Sequence, residues 1–245
     1  RNNRIGGPAL GGGNVIAGNR GTAIELRDTG STGNTIEGNF IGTNVYGTAV
    51  LKNDSMGVYM NRAPGNMIGG SSPSAGNLIC GSSLDGVVIA GLTAKDNKVL
   101  HNFIGTDASA TKSFGNGRNG VSVIDGTGNR IQDNRIFSNA KMGIDLYPAG
   151  ITPDDSLDGD TGSNNLLNFP ILDSAIIGPG TIRIRGKLIG QPFLIYTIDF
   201  FRNDARDSSH FGEGQTWIGS TTLLPDAAGK AIIDVTISAA VNQSQ

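Results

Sequence analysis

Asparagine followed two residues later by isoleucine or valine returns five times along this chain. The copies are Asn3-Arg4-Ile5, Asn34-Thr35-Ile36, Asn66-Met67-Ile68, Asn97-Lys98-Val99 and Asn129-Arg130-Ile131, spaced by 31, 32, 31 and 32 residues. Alternate copies are most alike. The first and third continue as Ile5-Gly6-Gly7 and Ile68-Gly69-Gly70, while Gly33–Asn44 recurs 63 residues on as Asp96–Asp107, both with Asn-Phe-Ile-Gly-Thr. A unit this short cannot bury an apolar face alone, so the repeat dictates stacking of unit on unit.

Each unit holds three short apolar segments. The first is the Asn-x-Ile segment. The second is Val15-Ile16, Phe40-Ile41, Leu78-Ile79, Phe103-Ile104 and Arg135-Ile136. The third is Ala23–Leu26, Val58–Met60, Val87–Ile89, Val121–Val123 and Ile144–Leu146, in which apolar and variable residues alternate with strand periodicity. Glycine is 38 of 245 residues, roughly twice average usage, and falls between the segments, where tight turns need it. The expected architecture is all-β: about five coils of three short strands, each paired with its equivalent one coil away at about 4.8 Å. Parallel crossovers predict a right-handed parallel β-helix. Inward columns are Ile5, Ile36, Ile68, Val99, Ile131 and Ile24, Val58, Val87, Val121, Ile144. Asn3, Asn34, Asn66, Asn97 and Asn129 predict a ladder of amides, and Asn19, Asn44, Ser82, Asp107 and Asn139 a second polar column.

From residue 148 the pattern changes. Pro148 and Pro153 break the repeat, an acidic turn Asp154-Asp155-Ser156-Leu157-Asp158-Gly159-Asp160 follows, and longer alternating strands begin after Asn168-Phe169-Pro170. The predicted organisation is a β-helix over 1–147, an Asp/Pro/Gly-rich linker over 148–167 and an antiparallel sandwich over 168–245. Phe193, Tyr196, Phe200, Phe201, Phe211 and Trp217 are expected in the sandwich core, with Leu194, Tyr196, Ile198 and Phe200 on one strand face. Trp217 has a second reading as an exposed platform for stacking sugars.

The Gly-Asn-x-Ile-x-Gly-Asn-x-Ile-Gly-Thr pattern resembles right-handed parallel β-helix proteins of the pectate-lyase-like superfamily, above all bacterial secreted or surface proteins. The likeness covers residues 1 to about 147. It implies the fold but not an activity, because that superfamily holds lyases, hydrolases, epimerases, phage tailspikes and adhesins. In such surface proteins Gly-Ile-Asp-Leu, an Asp-rich turn and Asn-Phe-Pro lead into an immunoglobulin-like module. Gly143–Leu146, residues 154–160 and Asn168–Pro170 match in that order. About 80 residues remain where such a module needs about 100, so the module is expected to lack its last strand.

Chemistry on this fold needs acids, or cations with calcium-binding acids, on adjacent coils. In the column Gly7, Gly38, Gly70, His101, Asp133, the histidine and aspartate are neighbours, with Glu37 near the same face. These three are the candidate catalytic residues. Glu25 and Asp145 share an outward column but sit four coils apart. Arg4, Lys98 and Arg130 form an outward basic column that reads as a solvated face. Asp154, Asp158, Asp160 and Asn165 offer hard oxygens suited to a structural calcium. Cys80, the single cysteine, precludes an intrachain disulfide and falls with Ala17 and Gly42 at a small-residue position, as a packed thiol.

A net charge of −2 gives no basis for nucleic-acid binding, and no run of apolar residues is long enough to span a bilayer. The chain opens inside a repeat, so it reads as a fragment of a longer protein. The function expected is that of a non-catalytic extracellular surface or matrix protein, a stalk for adhesion, spacing or self-assembly. Its partners would be a polysaccharide or neighbouring copies of itself, including filaments completed by strand exchange. The alternative is a polysaccharide-active lyase, hydrolase or epimerase, or a carbohydrate-binding relative.

Overall fold

The structure, a computed structural model, describes residues 1–238 apart from Leu10, Arg206 and 208–210. Twenty strands, β1–β20 in chain order, are present among them. Fifteen make three five-stranded parallel sheets of a β-solenoid of about four turns. The first sheet holds β1 (Arg4–Gly6), β4 (Thr35–Glu37), β7 (Met67–Gly69), β10 (Lys98–Leu100) and β13 (Arg130–Gln132). The second holds β2 (Val15–Ile16), β5 (Phe40–Ile41), β8 (Leu78–Ile79), β11 (Phe103–Ile104) and β14 (Arg135–Ile136). The third holds β3 (Ile24–Arg27), β6 (Val58–Asn61), β9 (Val87–Ala90), β12 (Val121–Val123) and β15 (Ile144–Leu146).

The expected apolar columns are the observed register. Ile5, Ile36, Ile68, Val99 and Ile131 align, as do Ile24, Val58, Val87, Val121 and Ile144. Ile36, Ile41, Val58, Met60, Ile68, Ile79, Val87, Ile89, Val99, Ile104, Val121 and Val123 are wholly buried between the three sheets. Each such side chain contributes about 1.5–3 kcal/mol on leaving water. Ile144 keeps its register but is exposed, because its coil is the last.

Three polar ladders flank this core. Asn3, Asn34, Asn66 and Asn97 each donate backbone and side-chain N–H groups to Oδ1 of the asparagine one coil on, ending at Asn129. Asn14, Asn39, Asn77, Asn102 and Asn134 make a second ladder that the sequence reading did not single out. Its signal was present, since an asparagine precedes every second-segment strand.

The third ladder corrects the expected polar column. Its rungs are Asn19, Asn53, Ser82, Asn116 and Asn139, so Asn44 and Asp107 are not among them. The chain makes a small antiparallel excursion between Thr43 and Val50, and again between Thr106 and Ser113. The rung is therefore delivered nine residues later, at Asn53 and Asn116. Asn44 and Asp107 bind the excursions' own residues instead, Asn44 accepting from Thr48 and Asp107 from Ser109, Thr111 and Lys112. Ser82 is too short to continue the pattern, and its Oγ is buried without a partner.

The C-terminal region is antiparallel and has five strands. β16 (Ile171–Gly178), β17 (Thr181–Ile189) and β20 (Lys230–Ser238) form one sheet; β18 (Tyr196–Arg202) and β19 (Thr216–Leu223) form the other. Ile184, Leu188, Tyr196, Phe200, Leu223, Ala231, Ile233 and Ile237 are its core. Two aromatic expectations fail. Phe193 and Trp217 are 70% and 46% exposed, because Phe193 lies in a turn before β18 and Trp217 points to the outer face of β19. Leu194 is exposed for the same reason as Phe193. The expected loss of a last strand falls after Ser238, outside the described residues.

Candidate functional site

His101 and Asp133 stand where earlier coils carry glycine, directly after β10 and β13. Both adopt positive φ, 59° and 57°, as Gly38 does at 67°. His and Asp are among the few residues that tolerate this conformation, so their first duty is to turn the chain. The His101 ring places Nδ1 2.9 Å from the Gly70 carbonyl, which requires the proton on Nδ1. That leaves Nε2 facing Oδ2 of Asp133 at 4.0 Å, an electrostatic contact too long for a hydrogen bond. Glu37 lies on the same face two coils away but is buried and pairs with Arg4, not with His101. His101 and Asp133 are thus brought together, and Glu37 is held apart.

Asp199, on β18, joins this pair from the C-terminal region. Burial raises the pKa of its carboxyl, and the Trp217 indole N–H, 3.4 Å away, opposes the rise. The Asp133 charge pushes the pKa up, while the Asp133 backbone N–H and Arg130 pull it down. A chain of pairwise relations, His101 to Asp133, Asp133 to Asp199 and Asp199 to the half-exposed Trp217, therefore runs where the C-terminal region packs on the solenoid. The carboxylates accept hydrogen bonds there, and the indole face offers a flat apolar surface. Nothing in the local sequence near Asp199 marks it, since it reaches the site only through docking.

The acidic turn folds over the start of the C-terminal region. Carboxylate oxygens of Asp155, Asp158 and Asp160 all lie within 4.8 Å of one another, a group that can bind a metal ion. Asp158 is 1% exposed; it accepts from the Asn168 backbone N–H at 2.8 Å and from the Tyr196 hydroxyl at 3.1 Å. Asp154 uses one oxygen to accept the Phe169 N–H, and its Oδ2 is buried with no partner; Oδ1 of Asp160 is likewise buried and unpartnered. Burial raises the pKa of both Asp154 and Asp160, and the charges of Asp155 and Asp158 add to it. Unsatisfied buried carboxylate oxygens among like charges are the environment a divalent cation relieves. Asp155, absent from the sequence-derived set, belongs to this carboxylate group together with Asp158 and Asp160. Asn165 turns the chain with φ of 60°, and its neighbour Asn164 accepts the Asn129 N–H at 2.8 Å, closing the first asparagine ladder.

Cys80 is buried against the turn at Gly42, whose φ is +80° and where any Cβ would collide with the Cys80 carbonyl. Burial pushes the Cys80 thiol up to about 12, so it is an inert packing group.

Among the described residues, no helix is long and apolar enough to cross a membrane. Neither a protein family nor a curated protein matches the chain.

Proposed function

We propose that this chain is a non-catalytic structural module of an extracellular surface or matrix protein. It is a right-handed β-helical stalk joined to an immunoglobulin-like module. One observation carries the reading: the recurring polar side chains are spent inside the fold. The asparagine ladders consume their own donors and acceptors, and closing rungs come from Asn164 in the linker and Glu213 in the C-terminal region. His101 and Asp133 serve as turn residues whose side chains stand 4.0 Å apart. A stalk of this kind acts in adhesion, spacing or self-assembly, with a polysaccharide or further copies of itself as partner.

The acidic turn braces the junction. Calcium suits the all-oxygen group of Asp155, Asp158 and Asp160, with the orphaned oxygen of Asp154 beside it. Its role is structural, because Asp158 also anchors Asn168 and Tyr196.

Incubation with a panel of uronate and neutral polysaccharides tests the central reading. The expected result is binding without new reducing ends or unsaturated products. A rival reading, a polysaccharide-active enzyme, is favoured by Trp217 and Asp199 beside His101 and Asp133. Cleavage that His101→Ala abolishes without unfolding the protein establishes the rival and removes the stalk reading. Self-assembly by strand exchange is read separately by sedimentation velocity at rising concentration, where a strictly monomeric profile excludes it.

A further inference from the structure

A cavity lies beside the third sheet, and its lining does not include Trp217. Its wall is built by two equivalent turns on successive coils, one carrying Arg118 and Asn119 before β12, the other Lys141 and Met142 before β15. Asp145 forms the floor and Ala149–Gly150 the far rim of a cavity of about 200 Å³. Backbone hydrogen bonds fix the walls, since the Lys141 N–H donates to the Arg118 carbonyl at 3.1 Å.

The floor is built and buried. Asp145 is 7% exposed; its Oδ1 accepts the Gly150 N–H at 3.0 Å and its Oδ2 accepts from Asn119 Nδ2 at 2.9 Å. The same Asn119 amide donates to Ser122 Oγ, which donates to Asp85, while its Oδ1 accepts the Met142 N–H. Asn119 is therefore fully used and cannot turn toward a ligand. Each Asp145 oxygen keeps a spare lone pair. Arg118 and Lys141 are exposed, and neither forms an ion pair among the described residues. Two exposed cations outside any close ion pair thus line the cavity with one buried acceptor, and the Lys141 charge favours the ionised form of that acceptor.

We infer that this cavity binds a single uronate residue of an acidic polysaccharide. The ring carboxylate lies between Arg118, which offers a planar fork of donors, and Lys141. A ring hydroxyl donates to Asp145. Both halves of the chemistry are needed: a sulfate dianion has no hydrogen to give to the Asp145 carboxylate, and a neutral sugar leaves both cations without an anion. The volume is below the roughly 300–1,000 Å³ of sites for drug-sized ligands, which limits the site to one ring.

The test titrates the full chain with galacturonate, glucuronate and mannuronate trimers, their methyl esters, and sulfate. The expected result is saturable binding of at least one acid trimer, weakened about tenfold or more in its methyl ester, as loss of a charge-assisted contact implies. Arg118→Ala with Lys141→Ala should abolish that binding while lowering the melting temperature only slightly, because both side chains are exposed and Lys141 is the weakest of the influences on Asp145. Trp217→Ala should leave it intact, which separates this site from the aromatic one. Failure of every acid trimer to bind overturns the inference. So does equal binding of the ester, equal competition by sulfate, or indifference to the double substitution.

Discussion

The backbone and side-chain N–H groups of Asn139 both donate to Oε1 of Glu213, at 3.3 and 2.9 Å, although the two residues are 74 positions apart. This is the two-donor pattern of the asparagine rungs, with a carboxylate in place of the next amide. Each rung donates toward the following coil, so the last coil is left with donors and needs only an acceptor. A carboxylate is acceptor-only and fits that end. Mutual hydrogen bonds between Ile136 and Gly214, at 2.9 and 2.7 Å, dock the same segment on the open edge of the second sheet.

Removing this terminal rung should loosen the closed end of the solenoid. Glu213→Ala leaves two buried donors without an acceptor, at about 1–3 kcal/mol for each group. The loss should appear as a lower urea midpoint. Glu213→Gln keeps the acceptor and removes a charge whose pKa burial already raises, so it should match or exceed the parent at pH 7. If glutamine costs as much as alanine, the charge and not the acceptor holds the end.

An interior rung should behave in the opposite way. Asn102 Nδ2 serves Ile68 O, Leu100 O and Asn134 Oδ1 at 2.9–3.0 Å, while its Oδ1 accepts both Asn77 donors. Asn102→Asp keeps the acceptor but loses every side-chain donation and buries a charge against three oxygens. The expected cost is about 3 kcal/mol or more at neutral pH. An Asp variant as stable as the parent in denaturant would show that the ladder carries little of the stability.

These contrasts also show what a sequence can disclose. The 31- and 32-residue spacing fixes the register because one equivalent residue per coil must face one core. Asn44 and Asp107 misled because an excursion within a coil shifts the rung without disturbing the strand that precedes it. The pairing of His101 with Asp133 was legible, since both belong to one column. Asp199, Glu213 and Asn164 were not, because each meets the solenoid through tertiary docking that no local period encodes. Asp85 and Asp145, both buried, are joined through Ser122 and Asn119 across three coils. Aligning strand columns alone could not find that link, because Asp85 lies in a turn.

Cys80 offers a probe of the core. With the thiol buried and its pKa at about 12, native protein at pH 8 holds almost no thiolate to attack a reagent. Labelling should require opening of the second sheet, so its rate should rise with denaturant in step with global unfolding. Stoichiometric modification of the native chain within minutes would contradict the burial that places this side chain against Gly42.

The acidic turn sets a pH dependence whose sign can be worked out. Burial raises Asp154, Asp160, Asp145 and Glu213 above their ordinary carboxyl values. Between the unfolded values, about 4, and the raised folded ones, the folded state binds more protons. Stability in chelator should therefore fall as pH rises through that window, and the penalty is complete above it. Asp107 works the other way. Burial opposes its ionisation, but hydrogen bonds from Ser109, Lys112 and Thr111 outweigh that and lower its pKa, so its contribution is lost as pH falls. A calcium ion among Asp155, Asp158 and Asp160 favours the ionised carboxylates and should cancel part of the decline. Melting curves in calcium and in EDTA should therefore nearly coincide near pH 4 and separate toward neutral pH. Asp160→Asn should flatten the EDTA profile and remove most of the separation. A calcium effect that is absent at pH 7, or equal at pH 4 and 7, would leave the turn as an acidic junction with no ion.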